Sequence, residues 1–484
     1  MSTRTVRGQG RDTPTVVRDE LASDVDDRLV VTREVAPMAA REELTAWPVA
    51  RRQRRLPVGW PIAAAVAGWP VWWMLGVQNF VVPLLAVPLA WSLLHRGRIR
   101  VPPGFWIWCL FLLLVLVSGL ALDAQVESAA TGDGIGRYFA FGLRYLSYLA
   151  ITVMLLFLGN TTEEELPRRR VVRWLALLAV SCLVLGVLSL LFPTFGFQTP
   201  ASYLLPGALT DEGASRVYLA QYQPILGDPA PRPSAPFSFT NAWGNSVTLL
   251  LVWLAVGWGV LGSRRRQLAM WLLLAVGTIP IIYSLNRGMW LGLGVAVVVV
   301  AVRLALRGRV KALGALLLCL TLAGLGVSAS SLDTMVQARV ETGHSNEVRG
   351  SLLETSLDLA EQSPLIGFGS TRKTLGSDAS IAIGPSEGCP RCGSRTVGST
   401  GQLTLLLVSQ GFLGAALYFG FLGFVLVRYL RDLSVLGIAG TLVVGLEILF
   451  AGFYSALTMP LTIVFLSIGL LWRNDLLRRS AVAR

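Results

Sequence analysis

The sequence predicts an all-α polytopic membrane protein: about twelve transmembrane helices, N- and C-termini cytoplasmic, and a large outer loop between spans nine and ten. Three observations predict it. Of the 484 residues, 53% are hydrophobic and 15% charged, with mean hydropathy +0.59, whereas a soluble domain carries about 25% charged residues. Apolar runs of roughly 16–25 residues, each able to cross about 30 Å of hydrocarbon, fill most of the chain. Basic residues concentrate in short polar segments between those runs. A soluble enzyme, a secreted disulfide scaffold and a coiled coil are excluded.

Residues 1–55 are highly charged, without apolar periodicity or a signal-peptide core, and read as a disordered cytoplasmic tail. Residues 56–330 hold spans one to nine, drawn over 57–76, 80–94, 104–122, 138–158, 172–192, 240–262, 268–285, 288–306 and 312–330, with an outer loop over 193–239. The large outer loop, 331–401, is expected to carry short helices against the outer membrane surface, since Leu352, Leu353, Leu357 and Leu359 recur at helical spacing before Pro364. Residues 402–472 hold spans ten to twelve (402–427, 434–454, 458–472), and 473–484 form a cytoplasmic tail.

Charge orients this plan. With the N-terminus inside, Arg96, Arg98 and Arg100, Arg168 to Arg170, Arg264 to Arg266, Arg303, Arg428, Arg473 and Arg478 all fall on the cytoplasmic side, while the short outer segments keep Arg137 and Arg287. The net charge of +13 is therefore a topology signal. With no basic groove or interleaved aromatics, no nucleic-acid partner is expected.

Charged residues within spans are costly and mark function or pairing. Arg144 in span four, Glu447 in span eleven and Arg287 at the tip of the span seven–eight hairpin fall at similar depth in the outer half. They read either as facing a shared outer cavity or, for Arg144 and Glu447, as an ion pair between helices. The outer loops add Arg349, close to His344 and Glu347, and Arg232, shortly before Asn241. Guanidinium groups grip phosphates bidentately and keep their charge, so an outer pocket of arginines suits a diphosphate ligand. Cys389 and Cys392, as Cys-Pro-Arg-Cys, read as a small local disulfide rather than half of a zinc ribbon. Cys109, Cys182 and Cys319 read as core residues. No metal site and no cofactor are expected.

Ser284-Leu285-Asn286-Arg287-Gly288-Met289-Trp290, Arg349 followed by Pro364-Leu365-Ile366-Gly367-Phe368-Gly369, and Gln402–Gly414 with Leu407, Gly411 and Gly414 together resemble the O-antigen ligase and O-antigen polymerase superfamily, membrane glycosyltransferases related to the GT-C class. Arg232–Asn241 is a looser match, so the resembling stretch runs from Arg232 to about Tyr418. The resemblance implies transfer of a glycan from a polyprenyl diphosphate (undecaprenyl diphosphate in the cell envelope) to a hydroxyl of a glycan, lipid or cell-wall acceptor. It implies inversion and no required metal. The protein would lie in the cytoplasmic (inner) membrane among its lipids, with the active site facing outside. Arg287 and Arg349, with Arg144 and Arg232, would hold the diphosphate, and Glu447, Asn241 and Thr400 would support it. One departure stands out: Thr400-Gly401 occupy the place where the ligases carry His-Asn, and Thr400 is no general base at neutral pH. His344 or Glu347 would then accept the acceptor's proton. The competing reading is a multi-span transporter or lipid-linked glycan flippase, which would favour discontinuous helices and repeat symmetry.

Overall fold

The computed structural model describes residues 57–126, 129–130, 134–204, 215–226, 228–306, scattered positions from 308 to 321, 344–374 and 396–482. The expected tail over 1–55, most of the span expected over 312–330, Cys319, and Cys389 with Cys392 lie outside the described residues.

Fourteen helices are named here: α1 Trp60–Val66, α2 Trp69–Leu75, α3 Gln78–Leu94, α4 Phe105–Ser118, α5 Gly136–Asn160, α6 Arg168–Leu191, α7 Pro200–Leu204, α8 Thr240–Leu254, α9 Arg264–Tyr283, α10 Arg287–Leu306, α11 His344–Gln362, α12 Gln402–Tyr429, α13 Val435–Phe450 and α14 Met459–Val482. Seven helical segments are long and apolar enough to cross a membrane: α5, α6, α8 with its π-helical extension to Val260, α9, α10, α12 and α14. α3, α4 with its continuation to Ala121, and α13 are shorter apolar helices. A multi-pass helical membrane protein is thus what the chain builds.

The first expected span, 57–76, is not one helix but two. Pro70 has no N–H to continue the ladder, and Gly68 sits where a Cβ would fall 2.4 Å from the Ala64 carbonyl oxygen. Trp72 Nε1 donates to that oxygen (2.7 Å), replacing the backbone partner that the break removes. The all-α reading also omitted three small antiparallel sheets, all in the connections. β1 (Ala129–Ala130), β6 (Arg372–Thr374) and β7 (Thr396–Val397) form one; β2 (Gly196–Gln198) and β3 (Arg216–Tyr218) the second; β4 (Ala220–Leu226) and β5 (Asp228–Pro233) the third.

The centre of the bundle is aromatic. Trp108 is fully buried and packs against Phe465 and Phe421, with ring centroids 4.7 and 5.4 Å away. Its indole N–H is satisfied by Thr152 Oγ1 at 2.8 Å, as a buried Trp requires. Cys182 is buried, but Cys109, expected in the core, lies on an exposed face of α4.

One end of the bundle collects the arginines of the sequence's cytoplasmic set. Arg473 Nη2 donates to the carbonyls of Thr162 and Leu166 (both 2.7 Å) and to Glu163 (3.0 Å). Arg96 holds Glu165 bidentately at 2.9 and 3.1 Å. That hydrogen bond, opposed by burial, keeps the Glu165 carboxyl below its ordinary range. Met459, at the other end of α14, is about 20 Å of helix away from Arg473. The candidate site lies at that end.

Candidate functional site

The turn joining α9 to α10 is the framework. Leu285 adopts φ 51°, the one non-glycine residue with positive φ among the described residues. Such a conformation costs roughly 1–2 kcal/mol and persists where its surroundings impose it. Here Asn286 imposes it: its Nδ2 donates to the Thr240 carbonyl on α8 (3.4 Å), and its Oδ1 accepts from Met289 N (3.4 Å) and from the Tyr454 hydroxyl. Arg232 of β5, 4% exposed, donates from Nε to the Ser284 carbonyl at 2.6 Å. Gly288 explains itself by space, because a Cβ there would lie 2.4 Å from the Tyr454 hydroxyl.

Arg349, in the second turn of α11, joins this group. Burial lowers its affinity for the proton, the Tyr454 phenol opposes that, and the charge of Arg287 lowers it further. Tyr454, in the loop between α13 and α14, is pushed up by burial and drawn down by Arg349 and Arg232. Segments distant in sequence thus bring Arg349 within electrostatic reach of Arg287 and Tyr454, and Tyr454 within that of Arg232. Three guanidiniums in a partly desolvated setting present a fixed positive potential and N–H forks suited to an anion with several oxygens.

Arg144 and Glu447 stand apart from the group. Arg144 Nη1 donates to Ser409 Oγ (3.0 Å) on α12. One turn on, the Tyr148 hydroxyl accepts from Gln402 Nε2 (3.1 Å), and Gln402 holds the Tyr454 loop through Tyr454 O (2.8 Å) and Ala456 N (3.1 Å). Arg144 thus bonds to the same helix, α12, whose first residue, Gln402, holds the Tyr454 loop. Glu447 is 1% exposed and neighbours Asn245 on α8 and Tyr418 on α12. No Arg144–Glu447 ion pair exists among the described residues, which removes the interhelical-pair reading. Asn241 is exposed at the start of α8. Thr400 precedes α12, its hydroxyl 3.1 Å from that of Thr404. His344 and Glu347 have their backbones in the first turn of α11; their side chains lie outside the described residues. Among the described residues, no three His, Cys, Asp or Glu side chains gather as a metal site.

The Pro364–Gly369 stretch meets α12 at a break. Gly411, φ 65° and ψ −169°, interrupts the helix, so the carbonyls of Val408 and Ser409 lose their ordinary partners. Phe368 N and Gly369 N replace them at 2.9 and 2.8 Å, and Leu413 N turns to the Pro364 carbonyl at 3.2 Å. Gly367 (φ 62°) must be glycine twice over, because a Cβ would also fall 2.4 Å from Gln410 N. α11 completes the lobe by packing Leu352, Ser356 and Leu359 inwards, with Phe368, Val397 and Val408 in the same core. Leu353 and Leu357, read from the sequence as part of the same apolar face, are each 37% exposed.

Sequence reasoning missed Tyr454, Gln402 and Arg372. Arg372, 1% exposed, donates to the carbonyls of Ala121, Leu122 and Ala124 (3.2–3.4 Å) and stacks on Phe368, tying β6 to the end of α4. Tyr454 had one faint signal, a hydroxylated aromatic just beyond an apolar run; Gln402 and Arg372 had none.

The fold and site define a multi-pass helical membrane protein with an arginine group at one end of its bundle. Residues 268–389 match the family model described as O-antigen ligase. No curated protein and no solved structure matches the chain. The matched stretch holds Arg287, Arg349 and Pro364–Gly369, while Arg232–Asn241 and Gln402–Gly414 fall outside it. The match supports the superfamily resemblance, and with the apolar helices it supports a membrane ligase or polymerase of cell-envelope polysaccharide.

Proposed function

We propose that the protein transfers a glycan from a polyprenyl diphosphate to a hydroxyl acceptor, with inversion and without a metal, at the outer face of the cytoplasmic membrane. In this reading Arg287, Arg349 and Arg232 hold the diphosphate, and Arg144, bonded to Ser409, steadies the α12 helix that carries Gln402. The observation that carries it is the gathering of Arg287 and Arg349 around Tyr454 from separate segments of the chain. As the glycosidic bond breaks, charge grows on the leaving diphosphate, and preoriented guanidiniums stabilise it more than they stabilise the intact donor. Acceptor deprotonation falls to His344 or Glu347, five and two residues before Arg349. The family to which residues 268–389 are similar supports the donor and acceptor classes.

A deletion strain tests this reading: lipid-diphosphate-linked glycan accumulates on the outer leaflet, and the intact gene clears it where Arg287→Lys does not.

A second reading, a flippase for lipid-linked glycans, draws on the break in α12, since carriers use discontinuous helices. The freed carbonyls at that break already accept from Phe368 and Gly369, so they are not open to a cargo. The same strain separates the readings, because loss of a flippase strands the glycan on the inner leaflet.

A further inference from the structure

A cavity of about 370 Å³ lies between the β4–β5 hairpin, β3 and the approach to α8. We propose that it is a sugar-binding subsite, taking a pyranose unit of the glycan adjacent to the diphosphate. The inference rests on the transferase reading above and adds to it the place where the carbohydrate is recognised.

The lining carries the argument. Trp73 forms a buried base, while Tyr218, Tyr222 and Phe239 stand 45%, 46% and 61% exposed around it. Aromatic faces are electron-rich and apolar, matching the C–H face of a pyranose ring, whose hydrogens carry slight positive charge. Fixed polar groups complete the wall. Arg216 stacks over Tyr218 with its guanidinium carbon 5.3 Å from the ring centroid. Gln221 is held in place by accepting from Thr240 N at 2.9 Å. Ser238 adds a hydroxyl, so hydrogen-bonding groups are present to orient sugar hydroxyls. A lipid chain has no use for Arg216 and Gln221, and a bare phosphate has none for three aromatic rings.

Position fits as well. Gln221 pairs directly with Arg232 across the hairpin, and directly opposed strand residues lie roughly 5 Å apart. Arg232 reaches the Ser284 carbonyl beside Arg287. One member of the arginine group is thus the cross-strand neighbour of a residue that lines this cavity.

The test uses the full chain in lipid nanodiscs and, as probe, the oligosaccharide released by mild acid from the host's lipid-linked glycan pool. The probe carries no diphosphate, so its binding is independent of the arginine group and of whether that group holds a lipid diphosphate. Saturable binding to the intact protein is expected, weakened roughly tenfold or more by Tyr222→Ala and by Arg216→Ala, with Tyr222→Phe close to the intact protein because the ring remains. Thermal unfolding of each variant checks that the fold is kept. Absence of saturable binding, or equal affinity in the intact protein and both alanine variants, overturns the subsite.

Discussion

The hydroxyl of Tyr454 donates a hydrogen bond to the side-chain oxygen of Asn286, fastening the α13–α14 loop to the turn that carries Arg287. The same hydroxyl lies within the field of Arg349 and Arg232. One phenol thereby touches the turn that carries Arg287 and lies near two further arginines.

Tyr454→Phe leaves Asn286 Oδ1 with one fewer donor. A loss of about 1–2 kcal/mol is expected, seen as a lower thermal unfolding midpoint in detergent. Transfer should fall further than stability, because the turn holding Leu285 at φ 51° relaxes and moves Arg287. Equal turnover in Tyr454→Phe would show that the phenol does not position the arginines.

Gly367→Ala should destabilise by roughly 2–4 kcal/mol, combining a left-handed backbone with overpacking. Its Cβ would meet Gln410 N at 2.4 Å where α12 breaks. Gly350→Ala, in α11 with open space around it, should be neutral or slightly stabilising. The pair of unfolding midpoints decides whether the Pro364–Gly369 stretch acts as the plug of the broken helix.

Asp432, in the loop before α13, is a pH-sensitive group at the other end of the bundle. Burial raises its pKa, but hydrogen bonds from Ser434 N (3.0 Å) and Asn474 Nδ2 (2.8 Å), with the charge of Arg478, outweigh it and hold the carboxyl below its ordinary range. The stability this contributes is present above the unfolded-state pKa of about 4 and is lost as pH falls through the folded value. Asp432→Asn should lower stability at pH 7 by about 1–2 kcal/mol and flatten the decline below about pH 4. An unchanged acid limb in the variant would assign that decline elsewhere.

For acceptor deprotonation, His344→Ala and Glu347→Gln are the informative changes. His344 has the better ordinary pKa, about 6.5, whereas an arginine two residues from Glu347 would depress a carboxylate. The expectation is a fall in transfer of about 10²-fold for His344→Ala and a smaller one for Glu347→Gln. If both variants transfer at the full rate, neither is the base, and deprotonation is relayed by water or by the substrate.

How much of this was legible in the sequence follows physical lines. Composition and period expose apolar helices, because hydrocarbon admits little else, so α5, α6, α8 to α10, α12 and α14 were readable directly. The division of 57–76 was signalled by Gly68 and Pro70 but hidden by an unbroken apolar run. The sheets were invisible because two- to seven-residue strands in polar connections carry no period. In the site, Arg287 and Arg349 stood out as charges beside apolar runs. Tyr454 and Gln402 act through long-range contacts that no local pattern encodes. Gly411 was noted as part of a motif; that it breaks α12 depends on Phe368 and Gly369 being there to accept the consequence.

The most direct test of the central proposal is binding of undecaprenyl diphosphate to the full chain in nanodiscs, compared between the intact protein, Arg287→Lys and Arg349→Lys. Each lysine keeps the charge but loses the planar fork. The prediction is saturable binding that weakens roughly tenfold or more in either variant, with undecaprenyl monophosphate bound less tightly and less affected. Equal affinity for the diphosphate in all three proteins would contradict it.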